Sequence, residues 1–273
     1  MGVEEHTIEL DAAPIFYRRA PANGLEILYL HSVPTSSDDW LRPLELGGGV
    51  AVDLPGFGRS GKGGNLDYSL NGYVTFAERL LDALGIGEVA LVGHGWGAAV
   101  ALLLAGRVPD RIPRLAIVDA LPLVDGFQWP ALARWLRRPG AGELLMGSVN
   151  RWLLARMLRG ASATAAAWPD PRVDAVWEQF DQGTQRAILR LHRSVDTSAL
   201  AITSTGLHRL TQPVLVAWGD RDPWFDCAFA EVYSRLLPGA TAEVVKGAGH
   251  WPWLDRPELA ERLAAFAGGT ILR

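Results

Sequence analysis

Short apolar runs that end in turn residues alternate with longer amphipathic stretches through the first half of the chain. The runs Ile15–Arg18, Leu25–Leu30, Val50–Asp53, Val89–Val92 and Leu115–Val118 predict strands, being continuous and rich in leucine or β-branched residues. Between them, Leu70–Leu84 and Ala98–Arg107 carry helical periodicity and are long enough to cross over from one parallel strand to the next. After Asp119 the rhythm changes. From Leu121 to Ala201 no strand-like run occurs, and Trp129, Trp135, Trp152, Trp168 and Trp177 lie on helical stretches broken by Pro130, Pro139, Pro169 and Pro171. Strands resume at Val214–Trp218 and Thr241–Val245, and a helix at Pro257–Ala267 closes the chain. The pattern predicts an α/β fold with a mostly parallel central sheet covered by helices on both faces. Residues 1–120 and 202–273 would form the core, and 121–201 a helical insertion over the sheet's C-terminal edge, where ligands bind in open α/β folds.

Composition narrows the classes of function. Charged residues make up 21% and apolar ones 49% of the 273 residues, near the averages of globular domains. A net charge of −4, with no basic block, argues against nucleic acid as a partner. The start, MGVEEHTIEL, lacks a charged-then-apolar signal pattern, and no apolar run approaches the roughly 18 residues that span a bilayer. The expected location is the cytoplasm, without membrane association. Cys227 is the sole cysteine, which excludes an internal disulfide and a thiolate metal cluster. No cofactor or metal is expected; the expected partner is a small-molecule substrate, with a homodimer left open.

The most informative segment is Val89-Ala-Leu-Val-Gly-His-Gly-Trp-Gly-Ala-Ala-Val100, an apolar strand, a tight turn and a helix. Gly93 and Gly97 stand two before and two after Gly95, the spacing that lets a sharp strand-to-helix elbow lift a reactive side chain clear of a sheet. The reactive slot is position 95, and it holds glycine. The same residues, Gly93-x-Gly95-x-x-Ala98 with Asp119 after the next strand, formally fit a dinucleotide fingerprint. They follow the fifth strand rather than the first, however, and Trp96 crowds a turn that would have to approach pyrophosphate.

Three segments resemble haloalkane dehalogenases and epoxide hydrolases of the α/β-hydrolase superfamily. Leu30-His31-Ser32-Val33-Pro34, with Trp40, resembles their His-Gly-x-Pro loop. Val52-Asp-Leu-Pro-Gly-Phe-Gly-Arg-Ser-Gly61 resembles their Asp-x-x-Gly-x-Gly-x-Ser loop, and Gly93-His-Gly-Trp-Gly97 their Gly-His-Asp-Trp-Gly elbow. Two departures stand out: Ser32 replaces the usual glycine, and Gly95 the nucleophilic aspartate or serine. The resemblance implies Asp222, in Trp218-Gly-Asp-Arg-Asp-Pro223, as the acid and His250, in Gly247-Ala-Gly-His-Trp-Pro252, as the histidine. Asp119, also at a strand end, is the alternative acid. The oxyanion hole would use the backbone N–H groups of Val33 and Trp96, both expected to be available. His31 and His94 are expected to be structural.

Ser32, Trp129, Trp135, Trp152, Trp224 and Trp251 are candidates for contact with an apolar or aromatic substrate. Tyr17, Tyr29, Tyr68, Tyr73 and Tyr233 all lie outside the insertion, which lacks the tyrosines that the resemblance would require for epoxide opening. With glycine at 95 the family's covalent routes are closed. The reading adopted is an enzyme without a covalent nucleophile, in which His250 abstracts a proton from the substrate and the oxyanion hole holds the anion, as in carbon–carbon bond chemistry, isomerisation or cofactor-free oxygenation. The alternatives are an ordinary dehalogenase- or esterase-like hydrolase whose nucleophile was replaced, and a small-molecule binding protein.

Overall fold

The computed structural model describes residues 2–22, 24–195 and 206–269. Eight strands form one sheet in the order β1-β2-β4-β3-β5-β6-β7-β8. They are β1 (Glu4–Leu10), β2 (Ala13–Ala20), β3 (Ile27–Leu30), β4 (Gly49–Val52), β5 (Ala90–His94), β6 (Leu115–Val118), β7 (Val214–Gly219) and β8 (Ala240–Val245). From β4 across to β8 the neighbours are parallel, with Leu28 opposite Val50 and Leu91, and Ala116 opposite Val92 and Leu215. β1 and β2 form an antiparallel hairpin on one edge, turning through Asp11 and Ala12, both with positive φ, as a two-residue turn requires. Sequence reading missed β1. Its residues, EEHTIEL, are largely exposed on an edge strand, so no buried run marks it.

The interior strands β3, β4 and β6 are buried at every position, which is why they read as unbroken apolar runs. Alternate side chains feed two cores. Leu28, Leu30, Val52, Leu91 and Ile117 point to one, with α2 (Leu70–Ala83) and α3 (Trp96–Arg107); Tyr29, Ala51, Val92 and Val118 point to the other, with the helix Glu258–Ala267. α2 buries Tyr73, Val74, Ala77, Leu80 and Leu81 on one face, and Ser69 caps it by accepting from the Gly72 N–H. α1 (Leu41–Gly47) packs beside the C-terminal helix.

Five further helices lie between β6 and β7 among the described residues: α4 (Ala131–Leu136), α5 (Ala141–Ser148), α6 (Arg151–Gly160), α7 (Asp170–Gln179) and α8 (Gln182–Ser194). The expected end of the insertion, at 201, lies outside the described residues. α9 (Ala228–Leu236), α10 (Pro252–Asp255) and α11 (Glu258–Ala267) complete the chain. No helix among the described residues is long and apolar enough to cross a membrane.

Candidate active site

The turn from β5 into α3 is built on three glycines for steric reasons. A Cβ on Gly93 would stand 2.6 Å from the Cα of Ala98, and one on Gly97 would stand 2.2 Å from the Leu30 carbonyl oxygen. Gly95, at φ 52° and ψ −111°, occupies backbone space that side chains rarely tolerate. Its N–H donates to the Val118 carbonyl at 3.0 Å, and its carbonyl accepts from Leu121 at 3.0 Å.

The space beside Gly95 is filled from the opposite wall. A Cβ built on Gly95 would lie 2.2 Å from Ser32 Oγ, 2.8 Å from Ser32 Cβ and 3.4 Å from His250 Nε2. The Trp96 N–H, expected to be available, donates to Ser32 Oγ at 3.2 Å, which corrects that expectation. The Val33 N–H has no hydrogen-bond partner among the described residues. The Ser32 carbonyl is held by His31 Nδ1–H at 2.7 Å, while the Thr35 hydroxyl beside it gives its one hydrogen to Asp39 Oδ2. His31 Nε2 in turn accepts from the Leu54 N–H at 2.9 Å, and burial lowers its pKa, so the ring serves as a neutral brace.

His250 Nδ1 donates to Asp222 Oδ2 at 2.8 Å, with both side chains buried. The proton on Nδ1 leaves the lone pair on Nε2, the nitrogen that faces the space beside Gly95. Asp222 is fixed by its other oxygen, which accepts from the N–H groups of Trp224 at 2.8 Å and Phe225 at 3.2 Å. Of the two candidate acids, Asp222 therefore holds the imidazole. Asp119 accepts from the Gly219 N–H at 3.0 Å. Burial first, and the neighbouring Asp222 carboxylate second, raise its pKa well above the usual range, so it is the protonated member of the pair. Asp119, Asp222 and His250 bring ligand atoms within 4.8 Å of one another. The bond from His250 Nδ1 to Asp222 Oδ2 occupies two of these ligand atoms, and Asp119 Oδ2 is buried with no hydrogen-bond partner among the described residues.

His94 donates from Nε2 to the His250 carbonyl at 2.7 Å, and burial lowers its pKa well below normal, so it too is neutral and structural. The His250 N–H reaches the Ala161 carbonyl at 2.7 Å, tying the histidine loop to the end of α6.

Above the imidazole lies a cavity of about 250 Å³ lined almost entirely by apolar side chains. Ser32, Val33, Trp96, Trp224, Phe225 and His250 form its floor, and Trp129, Leu136, Met146, Leu154, Phe180 and Ile188 come from the helical segment. Trp129 and Trp224 are thus where an apolar ligand would meet them. Three expected contact residues are not. Trp135 and Trp152 are 54% and 69% exposed on the outer faces of α4 and α6, Trp135 lying under the Arg138 guanidinium. Trp251 is fully buried outside the cavity, edge-on to Trp168 and donating from its indole to Asp39 at 3.1 Å. Helical period alone cannot say which side of a two-sided helix faces a cavity, which misplaced Trp135 and Trp152; Trp251, in the loop after His250, turns instead into the core.

Sequence reading also missed His192 and Asp39. His192, one turn after Ile188 on α8, lies edge-on to Trp96, and burial lowers its pKa to about 4, leaving it neutral in the cavity wall. Asp39 is buried beneath Trp251 and Trp253, and burial raises its pKa to about 7 despite donors from Thr35 and Trp251. Neither residue belongs to a motif.

Residues 27–257 match the sequence pattern of the alpha/beta hydrolase fold. The chain belongs to that family. It is 32% identical to a haloalkane dehalogenase of Mesorhizobium japonicum over 75% of this chain and 71% of the relative. Cfl2 of Burkholderia cenocepacia superposes with a TM-score of 0.85 at 26% identity, over 98% of this chain and 96% of the other. The epoxide hydrolase CorEH superposes with a TM-score of 0.84 at 20% identity over 98% and 99%, a likeness of fold. These relatives place the chain in the dehalogenase and epoxide hydrolase-like branch, and family membership sets aside the dinucleotide reading of the elbow.

Proposed function

We propose that this hydrolase-fold protein is an enzyme whose general base is His250, oriented by Asp222, acting on a small apolar or aromatic molecule without a covalent contribution from position 95. The observation that carries the reading is the 2.8 Å bond from His250 Nδ1 to Asp222, which leaves Nε2 free as a base on the floor of an apolar cavity. An imidazole whose far nitrogen is held by a buried carboxylate can take a proton and be stabilised as imidazolium. The Val33 and Trp96 N–H groups would hold the oxyanion that forms as the proton leaves.

Dehalogenation as the Mesorhizobium relative's name describes it does not transfer. Displacement of halide through an alkyl ester needs a carboxylate at the elbow, and Gly95 supplies none. Two uses of the base remain: direct abstraction of a proton from the substrate, and hydrolysis in which the base acts on a hydroxyl held at the cavity floor. The presence of hydrolases among the relatives favours the second.

The test is a substrate panel of aryl and alkyl esters and acidic aromatic compounds, run on the parent, His250→Ala and Asp222→Asn. Any native turnover is expected to fall about 10⁴-fold in Asp222→Asn, because the imidazole loses the partner that sets its tautomer, and at least as far in His250→Ala. An unchanged rate in His250→Ala would remove the base assignment. Tight binding without turnover across the panel would leave a receptor instead.

A further inference from the structure

We infer that Ser32 is the nucleophile of this protein, delivered from the loop after β3 instead of from the elbow, and that its substrate is a small apolar carboxylic ester. The inference rests on His250 being the base, as proposed above.

Position comes first. Ser32 Oγ lies 2.2 Å from the point where a side chain on residue 95 would begin, and His250 Nε2 lies 3.4 Å from the same point. The hydroxyl therefore stands in the space an elbow nucleophile's side chain would occupy, on the floor of the cavity and 2% exposed. The two departures at 32 and 95 are one exchange: serine at 32 excludes any Cβ at 95, and glycine at 95 is what admits the hydroxyl.

Hydrogen-bond accounting comes second. Ser32 Oγ accepts from the Trp96 N–H, and its own hydrogen has no acceptor among the described residues. A hydroxyl with one of its two lone pairs open and its proton uncommitted, beside an imidazole nitrogen with a free lone pair, is the donor–acceptor pair that activates serine. Oγ and Nε2 are not hydrogen-bonded in the resting site, and the mechanism requires Ser32 to turn about χ1 to close that gap. The serine backbone is held at its carbonyl by His31 Nδ1–H.

The oxyanion donors come third. Such a hole combines the N–H after the nucleophile with one from the facing loop. Moving the hydroxyl from 95 to 32 exchanges the roles of the same two groups: Val33 becomes the N–H after the nucleophile, and Trp96 the facing one. The Val33 N–H is unpartnered in the resting site, and the Trp96 N–H is released as Oγ becomes an ester oxygen, a weaker acceptor.

The chemistry then balances. Oγ attacks the carbonyl carbon as its proton passes to His250 Nε2, and the carbonyl electron pair moves to the oxygen held by Val33 and Trp96. The intermediate collapses with loss of the alcohol, which takes the proton from His250. A water that gives its proton to His250 attacks the acyl group on Ser32, the acid departs, and Oγ recovers its hydrogen. Haloalkanes and epoxides are excluded as substrates, because the ether they would leave on serine has no carbonyl for water to attack.

The test mixes the full chain with p-nitrophenyl esters from acetate to octanoate and follows nitrophenolate release and intact mass. The expected result is a burst of about one nitrophenolate per chain and a mass gain of one acyl group on the peptide that contains Ser32. Diisopropyl fluorophosphate should label the same residue. Ser32→Ala should lose burst and label and drop kcat/KM about 10³-fold or more, and Ser32→Cys, which preserves the packing, should regain an acyl adduct at position 32. The inference is overturned if the adduct maps elsewhere, if no ester gives burst or label, or if Ser32→Ala turns over like the parent. If Ser32→Ala keeps an activity that His250→Ala loses, the base reading stands and the serine falls; if both variants keep it, both readings fall.

Discussion

A carboxylate cannot be restored at the elbow by a single substitution. In Gly95→Asp the new Cβ would stand 2.2 Å from Ser32 Oγ and 2.8 Å from Ser32 Cβ. The hydroxyl can swing away, but the Cβ moves only with the Ser32 backbone, which His31 Nδ1–H holds at its carbonyl. Overpacking of this kind costs about 1–3 kcal/mol, and a non-glycine residue at φ 52° and ψ −111° costs about 1–3 kcal/mol more. For a chain of this size each kcal/mol lowers Tm by about 2–4 °C, so Gly95→Asp should melt on the order of 5–20 °C below the parent. Ser32→Gly removes the collision and leaves the backbone strain. A double-mutant cycle of the parent, Ser32→Gly, Gly95→Asp and the pair should therefore give a favourable coupling of about 1–3 kcal/mol by denaturant unfolding. Only the pair should release halide from a haloalkane. A Gly95→Asp protein as stable as the parent, with no coupling to Ser32→Gly, would refute the claim that Ser32 occupies this space.

Other consequences follow from the same geometry. Asp119→Asn should lower turnover at least a hundredfold less than Asp222→Asn, because the raised pKa of Asp119 favours its neutral form and the amide N–H takes the place of its O–H; equal losses would show that Asp119 is the working acid. Asp39 should tilt stability with pH. Its folded pKa of about 7 lies above the unfolded carboxylate's, so between about pH 4 and 7 the folded state holds a proton that the unfolded chain has lost. Stability should fall as pH rises through that window, by at most about 1.4 kcal/mol per pH unit, and Asp39→Asn should flatten the curve. Parallel melting curves for the two proteins between pH 5 and 8 would contradict this. Trp129→Ala should raise KM for any substrate found by about tenfold, whereas Trp135→Ala and Trp152→Ala, on the outer surface, should leave it within about twofold.

The sequence by itself determined the parallel core and most of the site's parts. Buried parallel strands must be apolar at every position, so Leu115–Val118 and Val214–Gly219 announce themselves, and an elbow between closely packed strand and helix must have glycines such as Gly93 and Gly97. His250 and Asp222 were legible through the resemblance of their segments to haloalkane dehalogenases and epoxide hydrolases, since position past a strand marks Asp119 equally. The edge strand β1 carried no such mark because it is largely exposed, and Asp39 and His192 carried none because what buries them comes from segments remote in the chain. Tertiary structure alone decided which tryptophans face the cavity, that Asp222 and not Asp119 holds the imidazole, and that Ser32 fills the space beside Gly95. Each of these depends on distances between residues tens to hundreds of positions apart, and local periodicity holds no information about such distances. Glycine at 95 and serine at 32 are separate departures along the chain; only folding puts the Ser32 hydroxyl into the space that a side chain at 95 would take, and makes them a single feature.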